Sequence, residues 1–149
     1  MLTLGFGANW PDGSCGGLTK LHNGVDVQAS VGETIYAAHD GYVRVAQLDS
    51  YNGGWVTLDY GPTHTTNMTT VYWHIIPSVS ANTWVLKGQP VGHVADLGSR
   101  THFHFGIRYA PYDNTSNAGG LPQIDCGGYP AFPASFTNPW LQTYKYNPN

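Results

Sequence analysis

Glycine and proline interrupt this chain so often that it offers no helix of useful length. Nineteen glycines and ten prolines are spread over 149 residues. Nowhere do apolar residues hold a 3.6-residue period across several turns. Between the interruptions lie short runs in which side chains alternate with period 2, the pattern of strands. "GVDVQA" (24–29) alternates before the turn "SVGET". "TIYAAHDGYVRVAQLD" (34–49) reads as two strands joined at Asp40-Gly41, an Asp-Gly hairpin signal. "GGWVTLDYG" (53–61) places Trp55, Thr57 and Asp59 on one side and Val56, Leu58 and Tyr60 on the other. "TTVYWHII" (69–76) is a strand bounded by Pro77, and 85–98 holds at best short strands around Gly88, Pro90 and Gly92. "RTHFHFGIRYA" (100–110) has the cleanest alternation, and the tail after Pro111 is loop-like. The expectation is one all-β domain over 1–149 with hairpin connections, its core at about 18–109 and an extension at about 110–149.

Charge narrows the function. Only 10% of residues are charged and the net charge is −3. The six basic residues are scattered, so there is no footprint for nucleic acid. No apolar run approaches the roughly 20 residues needed to span a membrane, so no membrane insertion is expected. "MLTLGFGANW" lacks the basic start and long apolar core of a signal peptide. The two cysteines, Cys15 and Cys126, form no CxxC. They are open to two readings, one disulfide between the terminal loops or two buried thiols.

Histidine carries the chemistry. In "THFHF" (101–105), His102 and His104 are two apart and share a strand face, with Phe103 and Phe105 on the other. Such a pair can be packed, solvated or metal-binding. "LHNGVD" (21–26) puts His22 and Asp26 on either side of Gly24, whose freedom would let both converge on one ion. A catalytic zinc takes three protein ligands and leaves a position open. His74, in "VYWHII", has Tyr72 on its expected face; it is either a core histidine or part of a cleft. The single glutamate, Glu33, sits at a turn, and neither HExxH nor GxSxG is present.

In order along the chain, HxxxD, a strand histidine and HxH resemble the lysostaphin/LytM family of zinc endopeptidases. The resemblance covers roughly residues 18–109. "HNGVDVQASVGETIYAAHDGYVRVAQ" is similar to that family's opening, "TTVYWHI" to its strand with a catalytic histidine, and "THFHFGIR" to its closing strand. The resemblance implies an antiparallel β-sheet groove with one zinc on its floor. His22, Asp26 and His104 would be the ligands, and His74 and His102 the unligated catalytic pair. It implies hydrolysis of peptide bonds in bacterial cell-wall peptidoglycan, in the cross-bridge or the stem peptide. Zinc would activate the water, and one histidine of the pair would act as base; which one stays open. It further implies a secreted or wall-facing monomer whose partner is the peptidoglycan peptide. Two other readings remain: a catalytically inactive relative that binds wall or a partner, and a zinc peptidase acting on Gly-rich proteins. Ser99-Arg100-Thr101 departs from the Gly-Pro or similar residues usual before the HxH. His39, His64 and His93 have no place in the pattern and are expected at the surface or in packing.

Overall fold

Alternation becomes strand almost wherever the sequence shows it. The structure, a computed structural model, describes residues 2–6, 8–10, 20–59, 68–109, 112 and 136–137. The two cysteines, His64 and Tyr60 lie outside them, as does nearly all of the C-terminal extension. The strands are β1 (Leu2–Leu4), β2 (Asn9–Trp10), β3 (Lys20–Leu21), β4 (Val25–Val27), β5 (Thr34–Tyr36), β6 (Gly41–Asp49), β7 (Gly53–Asp59), β8 (Thr69–Pro77), β9 (Trp84–Val85), β10 (Pro90–Val94), β11 (Phe103–Arg108) and β12 (Phe136–Thr137). The only helical element among the described residues is a 3-10 turn, Gly98–Arg100. Among the described residues no helix is long and apolar enough to cross a membrane.

The main sheet runs β1-β4-β11-β8-β7-β6-β9, with β10 pairing both β5 and β8 and β12 pairing β11. Every pairing is antiparallel. One face carries the core. Val43, Val56, Leu58, Tyr72 and Ile75 are buried there, and Ala37, Val91, Ile35 and Val79 close over them from the β5–β10 side. Phe103 and Phe105 pack against Tyr72, with ring centroids 6.3 and 5.2 Å away. The opposite face follows from register. Asp26 pairs with His104, His104 with Trp73, and Trp73 with Trp55, so one row across four strands shares a face.

The Asp40-Gly41 hairpin does not form. β5 pairs with β10, and β6 pairs with β7 and β9. The intervening segment is a crossing between layers, tied down by partners remote in sequence. Ala37 donates its N–H to the Gln89 carbonyl at 2.8 Å. Ala38 donates to the Tyr72 hydroxyl at 2.8 Å, and the Asp40 carboxylate accepts the Lys87 N–H at 2.7 Å. These tertiary bonds outweigh the local turn preference.

A second departure matters more for function. Gly54 pairs with Ile75, but Trp55 pairs with Trp73, so His74 is the extra residue of a β-bulge. Its φ is 63°, in the left-handed region that residues other than glycine seldom adopt. The strand opposite accommodates it with Gly53-Gly54. A Cβ on Gly53 would lie 3.3 Å from the His74 carbonyl carbon and 2.7 Å from Ala95 Cβ. A Cβ on Gly54 would lie 2.2 Å from the Gln47 carbonyl oxygen and 2.9 Å from that of Ile75. Alternation breaks at the bulge, so Trp73, rather than Tyr72, accompanies His74. Gly54→Ala should force β6 or β8 away and cost roughly 1–3 kcal/mol, the usual range for overpacking. Denaturant unfolding measures this; an unchanged midpoint would mean the three strands can part without cost.

Candidate active site

The row Asp26–His104–Trp73 places the HxH strand between the HxxxD strand and the bulge. His22 reaches the same point from the residue after β3, three before β4. His22 Nε2 is 3.1 Å from Asp26 Oδ1 and 3.0 Å from His104 Nδ1, and His104 Nδ1 is 2.9 Å from the same Asp26 oxygen. All three side chains are buried. Gly24 makes the approach possible, since a Cβ there would stand 2.4 Å from the Phe105 carbonyl oxygen and 2.7 Å from His104 Nε2. Asp26 and His104 lie directly opposite on paired strands, which explains why residues 78 apart in sequence meet.

Proton counting shows that this cluster suits a cation. The Gly5 carbonyl faces His22 Nδ1 at 2.9 Å. A carbonyl only accepts, so Nδ1 carries the proton and Nε2 presents a lone pair. Asp26 Oδ1 presents another. If His104 Nδ1 carries a proton, its buried Nε2 is left as a bare acceptor; if not, three lone pairs meet. His104 Nε2 has no hydrogen-bond partner in either case. Both arrangements leave a cost of about 1–3 kcal/mol in place, and a cation at the meeting point relieves the crowded acceptors. Two imidazoles and a carboxylate are zinc-type donors. Donors on a tetrahedral zinc stand roughly 3.4 Å apart, so the set fits with a small outward movement.

The other two histidines border this cluster. His102 Nε2 is 3.5 Å from Asp26 Oδ1. The His74 and His102 ring centroids are 4.3 Å apart. His74 Nδ1 meets the Asn52 carbonyl at 2.8 Å, and His102 Nδ1 meets the Arg100 carbonyl at 2.6 Å. By the same tautomer argument, each neutral ring keeps an Nε2 lone pair available. The Trp73 indole lies flat on His74, with centroids 4.4 Å apart and planes 13° apart. It also meets His104 edge-on at 5.8 Å.

Burial and neighbours set the charge states. Burial would raise the Asp26 carboxyl, but its close contacts with the His104 and His22 rings hold it well below the usual carboxylate range. Burial pushes His104 down, against the opposing pull of Asp26. Burial also pushes His74 down to about 4, so it is neutral near pH 7.

The structure therefore brings together His22, Asp26, His74, His102 and His104. It leaves Tyr72 out: that ring is in the core, and its hydroxyl accepts the Ala38 N–H. His39 is half-buried against Thr70, 2.8 Å from its hydroxyl, and His93 is exposed on β10. Sequence reasoning did not single out Trp73, nor the carbonyls of Gly5, Asn52 and Arg100. A Gly-Gly pair facing a histidine strand was the one available signal, for the bulge.

Comparison with known proteins agrees with this fold. The family model described as Peptidase family M23 matches residues 20–118. The chain is 33% identical over 92 residues to the peptidoglycan DD-endopeptidase ShyC of Vibrio cholerae, a match covering 60% of this chain and 20% of that protein. The chain thus spans about a fifth of that relative's length. The catalytic domain of the antimicrobial peptidase lysostaphin from Staphylococcus simulans superposes with a TM-score of 0.61 at 24% identity, covering 77% of this chain and 84% of that one. A zinc-containing peptidase from Vibrio cholerae superposes with a TM-score of 0.58 at 24% identity, covering 72% of this chain and 32% of that one. At these identities the two structures establish a shared fold. The family model spans every strand from β3 to β11 and all five clustered side chains, and the chain belongs to Peptidase family M23.

Proposed function

We propose that this chain is a zinc-dependent endopeptidase that hydrolyses peptide bonds in bacterial cell-wall peptidoglycan, acting outside the cell membrane. His22 Nε2, Asp26 Oδ1 and His104 Nδ1 would hold the metal. The observation that carries the reading is their convergence within 3.1 Å beside a second, carbonyl-anchored histidine pair. Family membership supports the peptidase, and the relative whose name specifies a peptidoglycan DD-endopeptidase supports the substrate class.

Zinc in this position supplies Lewis acidity toward water and the scissile carbonyl. The chain's own residues do the rest. Asp26 stays ionised and offsets the metal's charge. His74, neutral and fixed through Nδ1, offers Nε2 to take a proton from the attacking water. His102, fixed the same way and 3.5 Å from Asp26, is placed to donate to the developing oxyanion when protonated. The proton taken up by the pair then passes to the leaving amine. Trp73 keeps one face of His74 from water, which preserves its neutral form.

Three outcomes follow. The purified chain should bind about one zinc, and wall digestion followed by mass spectrometry should reveal new peptide termini that disappear reversibly with chelator. Full cleavage in chelator would end the metal reading. Asp26→Ala or His104→Ala should lose zinc, whereas His74→Ala or His102→Ala should keep it and lose about 10²–10⁴ in rate; an empty site in His102→Ala would reverse the assignment within the HxH pair. Gly24→Ala should displace His104 and weaken zinc affinity by roughly ten-fold or more, the scale seen when support around a ligand is lost. Competition with a chromogenic chelator reads that change directly.

A further inference from the structure

His74 stands on β8 and His102 immediately before β11, and a different loop steers each. Asn52, whose carbonyl faces His74, ends the turn between β6 and β7. The Asp49 carboxylate closes that turn by accepting the N–H groups of Tyr51 and Asn52, both at 2.7 Å. Arg100, whose carbonyl faces His102, ends the 3-10 turn before β11. The Thr101 hydroxyl closes that turn, donating to the Gly98 carbonyl at 2.9 Å and accepting the Leu97 N–H at 3.0 Å. Each loop is stiff by itself, yet neither bond set reaches the other loop.

One contact spans the gap. The Arg100 guanidinium lies 5.1 Å from the centroid of the Tyr51 ring. Tyr51 is 71% exposed, so burial does not explain where its ring sits. Among the described residues the guanidinium has no carboxylate partner. The contacts then close a circuit: His74 to the Asn52 carbonyl, Tyr51 to Arg100, the Arg100 carbonyl to His102, and His102 back to His74 at 4.3 Å.

We propose that Tyr51 and Arg100 are positioning residues, a cation–π clasp that fixes the spacing of His74 and His102 by tying together the two loops that orient them. The functional importance of that spacing rests on the reading of the two histidines as the proton-handling pair. An exposed cation–π contact corresponds to about a 2–5-fold effect, so the clasp tunes the pair and leaves the fold intact.

The test uses the full chain labelled with ¹⁵N-histidine, following the imidazole resonances of His74 and His102. Tyr51→Ala should move the His102 signals as well as those of His74. Arg100→Ala should move His74 as well as His102. The double variant should match either single one, and Tyr51→Phe, which keeps an aromatic face, should resemble the parent. In wall digestion each alanine variant should lose about 2–5-fold in kcat with KM and zinc content unchanged. Three results would overturn the clasp: a response confined to the histidine of the substituted loop, additive losses in the double variant, or a rise in KM alone, which would make the side chains substrate contacts. If the parent chain binds zinc but cleaves no wall, the proposed function fails, while the cross-loop imidazole response still decides the clasp.

Discussion

The register of β11 is the constraint on which the other features rest. That strand pairs with β4 on one side and β8 on the other, and so brings Asp26, His104 and Trp73 into one row. A slip of one residue would turn His102 and His104 toward the core and Phe103 and Phe105 toward the site. The phenylalanines resist that slip, because both pack on Tyr72. Both rings are partly buried, so each contributes less than the roughly 1.5–3 kcal/mol of a fully buried aromatic side chain. Apolar packing on one face of the sheet therefore holds the polar constellation on the other.

Backbone carbonyls then settle what register leaves open. His22, His74 and His102 each direct Nδ1 to a main-chain oxygen, from Gly5, Asn52 and Arg100. Each is thereby set to present Nε2. His104 is the exception, presenting Nδ1 to Asp26 and leaving Nε2 without a partner. Three loops thus set the tautomers, while strands set the positions. This division explains how four histidines can sit so close together with their ring nitrogens differently directed.

Much of this arrangement was legible in the sequence. Period-2 alternation marked β6, β7, β8 and β11, and the order of HxxxD, strand histidine and HxH indicated which five side chains would meet. The Asp40-Gly41 signal misled because its local preference was weaker than hydrogen bonds to Gln89, Tyr72 and Lys87, none of which is a sequence neighbour. The pairing of Tyr72 with His74 misled because a single inserted residue breaks alternation, and a bulge does not alter composition. The carbonyl partners were invisible because every residue has a carbonyl; only folding decides which one faces a ring. The roles of the five side chains stand with the proposed function.

The left-handed backbone at His74 has a wider consequence. Holding such a conformation costs about 1–3 kcal/mol at a residue with a Cβ, and glycine would relieve it. Under selection for thermal robustness alone, His74 would be among the earliest positions to drift, toward glycine or asparagine. The sheet maintains the imidazole there against its own stability, a trade familiar where chemistry and folding compete for one residue. Under the proposed function, a histidine at this bulge marks selection for activity rather than a device of the fold.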